Sequence, residues 1–432
     1  MACRAGGSAQ ALSEGGADMQ TSRVLYISGS LGLGHVTRDL AIAQQLRQQL
    51  PSVDIRWLAV HPATLMLERA GENVMPEASS YTNENVLAEQ SARGSKLSLL
   101  RYLLKSKGAW QHNIELFAKI VSAQQFDLVI GDESYEISLA LRKRPELKRF
   151  PFVMIFDFVG LDAMTNNPLE RLGVYLWNRV WSHDYRKKRK PSYDLGLFVG
   201  EPEDVPDTPF GFMLPSRRQF ATAMYQFVGY VFPFEPSVLA NQADLRKGLG
   251  YGPEPLVIVS IGGTSIGKEL LELCGEAYTI VREKVPSLHM VLVAGPRLAT
   301  ESLRLPKGVE VRQFVPDLYK HFAACDLAVV QGGATSTLEL TALNRPFLYF
   351  PLEEHSEQAS VARILTQRGA GIQMRYSDST PVSLAERISS MLGIPASYSK
   401  IPTDGAQRAA QSIVQLLERS RLPGTSAKPD KG

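Results

Sequence analysis

Short apolar segments alternate with amphipathic segments along the chain, from Arg23 to about Arg419. The apolar segments are rich in Val, Ile, Leu and Phe, as in strands that are buried on both faces of a parallel sheet. In the first half, strands are predicted near Val24–Ser28, Val53–Ala59, Asp127–Gly131, Phe152–Phe156 and Leu195–Val199. Helices are predicted near His35–Leu50, Ala63–Ala70, Lys96–Val121 and Tyr135–Arg142. The alternation predicts an α/β fold in which helices cover a parallel sheet.

The alternation stops at Val228–Pro236, where turn residues and no periodicity indicate a linker. It then restarts, with strands predicted near Pro255–Ile261, Met290–Ala294, Val309–Gln313, Leu327–Val330 and Phe347–Phe350. Helices are predicted near Lys268–Glu283, Asp317–Ala323, Thr335–Leu343 and Glu357–Gln367, with a closing helix at about Ala406–Arg419. We therefore expect two Rossmann-like domains that face a cleft, residues 23–230 and residues 231–422, the second including the closing helix.

Composition narrows the class of protein. The chain has 432 residues, enough for two to three domains, and its net charge of +3 does not by itself indicate a nucleic-acid partner. Its three cysteines are too widely spaced for a disulfide framework or a zinc site, which favours the cytoplasm. No apolar run approaches the roughly 20 residues of a transmembrane helix. Residues 1–22 and 423–432 are predicted to be a disordered leader and tail, and Met19 is an alternative start to Met1.

Two glycine-rich turns each follow an apolar strand and each open a helix. The first includes Gly32 and Gly34 and ends at His35, and the second includes Gly332 and Gly333. Such a unit directs free backbone N–H groups and the positive end of a helix dipole at a bound group. A titratable imidazole at the end of the first turn favours transfer chemistry on a phosphorylated substrate over simple dinucleotide binding.

His35 is the candidate base. At a helix N-terminus the dipole disfavours the imidazolium, so we expect a neutral imidazole near pH 7 that can accept a proton. Asp132 follows the strand Asp127–Gly131 and can fix the imidazole tautomer, with Glu133 in reserve. The alternatives are that His35 merely caps its helix, and that the two carboxylates are solvated or cap the next helix.

Gly-x-Gly-His followed by Val36–Ala43 resembles the opening of the GT-B glycosyltransferases, in the family 28-like branch that holds the peptidoglycan lipid-linked N-acetylglucosaminyltransferase. In plant relatives a His–Asp dyad deprotonates the acceptor hydroxyl, and the resemblance assigns those roles to His35 and Asp132. The second half resembles the family's UDP-sugar site more closely. The donor-binding residues implied are Gly262, Gly263, Thr264, Phe314, Val315, Gly332, Gly333, Ala334, Thr335, Ser336, Glu339, Glu357 and Gln358.

The resemblance also assigns parts of the donor to these residues. Phe314 and Val315 match the segment that holds the uracil ring, and Glu339 matches the ribose ligand. Glu357 and Gln358 match the pair that grips the donor sugar, with a dipole partner as the alternative for Glu357. The glycine turns match the segments beside the diphosphate. Gln331 stands where retaining members have the first Glu of a Glu-x7-Glu pair, so inversion is favoured. No Asp-x-Asp motif is present, so no obligatory metal and no other cofactor are expected.

The sequence therefore predicts an inverting, UDP-dependent hexosyltransferase that acts on the hydroxyl of a small-molecule or lipid acceptor. The alternatives are a nucleotide-sugar hydrolase of the same fold and a non-catalytic donor-binding subunit.

Peripheral contact with the inner face of the membrane is a further expectation. It rests on the basic and leucine-rich segment Lys96–Lys107, on Trp110, Trp177 and Trp181, and on the basic run Arg186–Lys190. The alternative is that the leucines lie in the core and the basic run is a solvated loop.

Overall fold

The computed structural model describes residues 21–29, 33–82, 92–93, 96–97, 99–263, 265–353 and 355–422, of which those from 92 to 107 by backbone alone. The described chain forms two α/β domains, each built on a parallel sheet, as the alternation predicted. Among the described residues no helix is both long enough and apolar enough to cross a membrane.

The first domain contains a seven-stranded sheet in the order β3-β2-β1-β6-β7-β8-β9, in which all neighbours are parallel. Its strands are β1 Ser22–Ile27, β2 Val53–Leu58, β3 Asn73–Val74, β6 Leu128–Asp132, β7 Phe152–Phe156, β8 Leu195–Val199 and β9 Gln226–Gly229, and β4 Ala92–Arg93 pairs with β5 Lys96–Leu97 separately. Its helices are α1 Gly34–Gln49, α2 Ala63–Arg69, α3 Leu99–Ala123, α4 Tyr135–Lys143, α5 Pro168–Trp181, α6 His183–Arg186 and α7 Arg217–Met224.

The second domain contains a six-stranded parallel sheet in the order β12-β11-β10-β13-β14-β15. Its strands are β10 Leu256–Ser260, β11 His289–Val293, β12 Glu310–Arg312, β13 Leu327–Gln331, β14 Phe347–Phe350 and β15 Ile372–Gln373. The helices of this half are α8 Gln242–Leu249, α9 Lys268–Lys284, α10 Leu318–Ala324, α11 Ala334–Ala342, α12 Ser356–Arg368, α13 Pro381–Met391 and α14 Gly405–Arg421. Apolar side chains are buried on both faces of each sheet, which is why the strands are almost wholly apolar.

Two predicted boundaries differ from the structure, and a third concerns residues outside the described part of the chain. Ser22, assigned to the leader, belongs to β1 because it pairs with Val53 of β2, and its hydroxyl accepts a hydrogen bond from Arg421. The predicted linker overlaps β9, since residues up to Gly229 pair with β8, so the chain leaves the first sheet at Tyr230. The predicted leader and tail at residues 1–20 and 423–432 lie outside the described residues.

The closing helix α14 packs on the first domain, although the sequence grouped it with the second. The small and apolar side chains along one side of this helix join the cluster beneath β1, namely Ala409, Ala410, Ile413 and Leu417. The chain therefore crosses between the domains twice. The two crossings lie side by side, because Gly405 N–H donates to the carbonyl of Tyr230 at 3.1 Å.

Candidate active site between the two domains

One cavity of about 600 Å³ lies between the domains, at the carboxyl ends of their strands. Gly34 and His35 of α1 line it from the first domain. Gly262, Gly333 and Glu339 line it from the second. This is the place where open parallel sheets bind ligands, since the glycine turns and helix N-termini converge there. The predicted residues Gly32 and Thr264 lie outside the described residues.

His35 and Asp132 are in direct contact. The Nδ1 atom of His35 lies 2.8 Å from Oδ2 of Asp132, which ends β6 and is fully buried. An Nδ1–H that donates to this carboxylate leaves Nε2 with a lone pair. Gly29 makes room for the pair, because a Cβ at that position would lie 2.7 Å from the imidazole ring. The two residues that the sequence paired can therefore act together as a base and its orienting carboxylate.

Two further residues complete this cluster and were missed by the sequence analysis. Arg38 donates from Nε to Asp132 Oδ2 at 3.2 Å and from Nη1 to Asp157 Oδ2 at 2.5 Å. Arg38 lies three residues, or about one turn, after His35 on α1. This spacing places the two side chains on the same face of the helix and could have predicted their proximity. Asp157 follows the apolar strand β7, just as Asp132 closes β6. One guanidinium thus holds two carboxylates from adjacent strand ends.

The direction of the pKa shift expected for His35 is corrected by this cluster. Burial and the nearby Arg38 both act to lower the pKa of His35, but the carboxylates of Asp132 and Asp157 outweigh them, and the pKa lies above the ordinary 6.5. The helix N-terminus alone suggested the opposite direction. The imidazolium is therefore favoured by its carboxylate partners, and the free base forms at a higher pH than the sequence suggested.

The second glycine turn opens α11 at the floor of the cavity. Gly333 is the residue before the helix, and Ala334, Thr335 and Ser336 form its first turn and line the cavity. Gly332 is required for close packing, since a Cβ there would lie 2.7 Å from the backbone of Pro351. Free N–H groups of this turn can bind an anionic group.

Glu339 lies one turn into α11, buried in the cavity wall. Burial raises its pKa to about 8. On the same side, Gly262 adopts a left-handed backbone with φ of 82°, next to Gly263. This conformation favours glycine and keeps the turn after β10 open.

The remaining predicted donor residues line the cavity, and one of them also makes a structural hydrogen bond. Phe314, Val315 and Glu357 line the cavity, and the Arg69 guanidinium carbon lies 5.8 Å from the centre of the Phe314 ring. Gln358 also lines the cavity, but its Oε1 accepts a hydrogen bond of 2.7 Å from the Leu352 backbone. That carboxamide oxygen therefore holds the loop before α12 in place.

Metal binding was not expected from the sequence. Within the part of the chain that the structure describes, no group of three or more histidine, cysteine or carboxylate side chains is arranged to hold a metal ion. Metal independence of the reaction stays a prediction.

Comparison with known proteins identifies the family. The model of the glycosyltransferase family 28 C-terminal domain matches residues 257–417. An uncharacterized glycosyltransferase of Methanosarcina acetivorans is 30% identical over 412 residues, covering 92% of this chain and 97% of that protein. The UDP-N-acetylglucosamine–N-acetylmuramyl-(pentapeptide) pyrophosphoryl-undecaprenol N-acetylglucosamine transferase of Carboxydothermus hydrogenoformans is 25% identical over 225 residues, or 50% of this chain and 56% of that one.

Solved structures agree on the fold. The glycotransferase of kitacinnamycin superposes with a TM-score of 0.60 at 16% identity, covering 93% of this chain and 99% of that one. The protein belongs to the glycosyltransferases, as a family 28-like member with the GT-B fold.

Proposed function

We propose that this glycosyltransferase uses a UDP-sugar and transfers the sugar, with inversion, to an acceptor hydroxyl. The observation that carries the proposal is a single cavity in which His35 of one domain faces the N-terminus of α11 and Glu339 of the other. The name of the C. hydrogenoformans relative includes a UDP-sugar, which supports the choice of nucleotide.

In the proposed reaction, the first turn of α11 binds the diphosphate and Glu339 accepts hydrogen bonds from the ribose. The acceptor oxygen attacks the anomeric carbon from the side opposite UDP and passes its proton to Nε2 of His35. A bond forms between that oxygen and the carbon as the bond to the phosphate oxygen breaks. The helix dipole and backbone N–H groups stabilise the charge that develops on UDP.

The His35→Ala variant tests the base. Its turnover should fall by about 10²–10⁴-fold, the usual contribution of a general base, while calorimetry should give nearly unchanged UDP affinity. The pKa of His35 is raised, and the free imidazole predominates only when the pH exceeds that pKa. Wild-type kcat/KM should therefore increase with pH through a pKa above 6.5. Wild-type turnover in the variant would refute the assignment.

Measuring UDP release separates the classes of enzyme. A transferase should release UDP slowly from the donor alone and much faster with a suitable acceptor, because the closed cleft excludes water. Rapid release that no hydroxyl acceptor changes, with free sugar as product, would establish a hydrolase. Binding without release under any condition would establish a donor-binding subunit.

We further propose that the first domain contacts an anionic membrane surface through α5. Leu169, Leu172, Leu176 and Val180 follow one another at helical spacing and are between 47% and 66% exposed. Helices in globular proteins normally bury such a stripe. Phe212 and Met213 are more than 80% exposed in a loop next to this helix, since Tyr175 of α5 donates a hydrogen bond to the carbonyl of Phe212.

The charges around this exposed apolar face of α5 indicate the kind of surface that it contacts. Residues 168–190 contain seven Lys or Arg and two acidic residues. Arg171, Arg179 and the run Lys187–Lys190 are exposed, whereas Glu170 bonds Thr165 and Asp184 bonds Arg142. Apolar side chains surrounded by basic ones match a bilayer that contains anionic lipids. The side chains of residues 96–107, the segment that the sequence placed in this surface, lie outside the described side chains.

Vesicle sedimentation tests this contact. Wild-type protein should pellet with phosphatidylglycerol vesicles, less with phosphatidylcholine vesicles, and less at high salt because charges are screened. The exposed pair Leu172→Ser and Leu176→Ser should abolish pelleting. Val382→Ser is the matched control, since Val382 is 54% exposed on α13 of the other domain. Equal pelleting of all variants, or none of the wild type, would contradict the proposal.

A further inference from the structure

A second pair of acidic residues lies beside the proposed base. Glu133 directly follows Asp132, and its backbone is left-handed, with φ of 50°. Its N–H donates to the carbonyl of Ile155 on β7, which joins the two strand ends. A left-handed conformation is unfavourable for a residue other than glycine, so Glu133 occupies a strained position at the edge of the cluster.

The side chain of Glu133 has three neighbours. Its Oε2 lies 4.0 Å from Nε2 of His35, the nitrogen proposed to accept the proton. Its Oε1 accepts a hydrogen bond of 3.3 Å from the Tyr135 hydroxyl. Its carboxyl group is also within hydrogen-bonding reach of the carboxyl group of Asp157, whose buried Oδ1 has no N–H or hydroxyl donor as a partner in the described part of the chain. Carboxyl–carboxyl contact of this kind requires a proton between the two groups, because adjacent like charges cannot both persist in a buried site.

The positions of the cations decide which carboxyl group keeps that proton. Asp157 has Arg38 at 2.5 Å, whereas the partners of Glu133 are a phenol, an imidazole edge and another carboxyl group. Burial and Asp157 hold the pKa of Glu133 well above its usual range. Burial acts in the same direction on Asp157, but Arg38 and the hydrogen bond from Glu133 hold its pKa below the usual range. The proton therefore belongs to Glu133.

We propose that Glu133 and Asp157 share one proton, and that this proton keeps negative charge away from the Nε2 edge of His35, so that the imidazole remains available as a base. Glu133 is thus a positioning residue, and the inference rests on the proposed role of His35. With Glu133 neutral, Arg38 balances one of the two carboxylates Asp132 and Asp157. The single remaining negative charge is neutralised when His35 takes up the acceptor proton.

An ionised Glu133 would change that balance. It would place a second negative charge 4.0 Å from Nε2 and favour the imidazolium before an acceptor arrives. The charged and titratable groups around His35 are Asp132 at the end of β6, Glu133 directly after it, Asp157 directly after β7, and Arg38 and Asp39 from its own helix. Asp39 is buried and accepts hydrogen bonds from Tyr26 and Ser28, and burial raises its pKa.

Imidazole NMR titration tests the pair without any sugar transfer. The His35 resonance is assigned by its loss in His35→Gln. Glu133→Gln should leave the pKa of His35 within about 0.3 units, because glutamine is also neutral and can donate to Asp157. Asp157→Asn should let Glu133 ionise beside Nε2, and its effect on the pKa of His35 combines that new charge with the loss of the Asp157 carboxylate. Adding Glu133→Gln to Asp157→Asn should therefore lower the pKa of His35 by about 1 unit or more relative to Asp157→Asn alone.

A decrease of a unit or more in Glu133→Gln would show that Glu133 is ionised in the wild type, and would overturn the proposal. If Asp157→Asn does not fold, infrared spectroscopy supplies a second readout. The carbonyl band of a buried protonated carboxylic acid should be present near neutral pH in the wild type and weaker by one group in Glu133→Gln. An unchanged spectrum would also overturn the proposal. Neither readout depends on whether the protein transfers a sugar, so the two proposals fail separately.

Discussion

At the scale of single residues, Glu339 combines burial with a place in the wall of the donor cavity. Its pKa of about 8 means that it is mostly protonated at neutral pH before a ligand binds. A carboxylate accepts hydrogen bonds from two hydroxyl groups more strongly than a carboxylic acid does. If the ribose binds only the ionised form of Glu339, part of the binding free energy at pH 7 is spent on ionising this side chain. For a pKa of about 8 that part is about 1.4 kcal/mol.

UDP affinity should therefore depend on pH through Glu339. A carboxyl group with a raised pKa gains its charge as the pH rises, so calorimetry should show affinity increasing about tenfold between pH 7 and pH 9 and levelling off above. Glu339→Gln should remove this increase. Any increase in affinity that remains in that variant comes from the titration of UDP itself. Glu339→Ala should weaken binding by about 1.5–3 kcal/mol. Identical pH profiles in wild type and Glu339→Gln would contradict the ribose role.

At the scale of secondary-structure elements, the N-termini of α1 and α11 meet across the cleft. A Cβ atom at Gly34 would overlap the hydroxyl oxygen of Thr335 and lie 3.3 Å from its Cβ. The glycine therefore allows the first turns of the two helices to approach each other. This contact brings the proposed base and the proposed donor-binding helix to opposite sides of the cavity between the domains.

Gly34→Ala should hold the two helix ends apart. Transfer should fall by about 10²-fold or more, since misplacing reacting groups by about 1 Å has that effect, while UDP affinity changes little. Adding Thr335→Ala removes the overlapping oxygen and should restore activity toward the level of Thr335→Ala alone, which is the reference for the double variant. Loss of activity that the second substitution leaves unchanged would point to local damage in α1 rather than to this contact.

Elements were predictable where burial leaves a pattern in the sequence. The predicted bounds of strand β7 match the structure, and those of α1 differ by one residue at each end. Both elements have an uninterrupted pattern of apolar positions. Helix α5 was missed because Asn167 and Pro168, which cap its start, resemble a turn, and because its apolar stripe faces outward. His35 and Asp132 could be paired from their positions at two turns, but the contact of Glu133 with Asp157 depends on strand register that no local pattern contains.

At the scale of the whole molecule, the first domain is completed by the far end of the chain. Ile413 of α14 is fully buried in the cluster that includes Val24 and Tyr26 of β1. The sequence showed that α14 is amphipathic, but it could not show which domain the apolar face covers, since both sheets offer apolar surfaces.

Ile413→Ala should destabilise the first domain by about 2–5 kcal/mol, the usual cost of removing this much buried side chain. All four tryptophans lie in that domain, at Trp57, Trp110, Trp177 and Trp181, so their fluorescence reports its unfolding in denaturant. Gln415→Ala, at an exposed position of the same helix, is the control and should change the midpoint little. If the tryptophan transition of Ile413→Ala stays at the wild-type midpoint, α14 is not needed for that core.

The return of α14 has a consequence for biosynthesis. A ribosome makes the first sheet early, but the helix that covers part of its apolar face is translated about 180 residues after the sheet ends. Until then, the part of that face that α14 covers is open to water and to other nascent chains, a state that is prone to aggregation. A chain that terminates before Gly405 would therefore leave part of the apolar face of the first sheet without the helix that covers it.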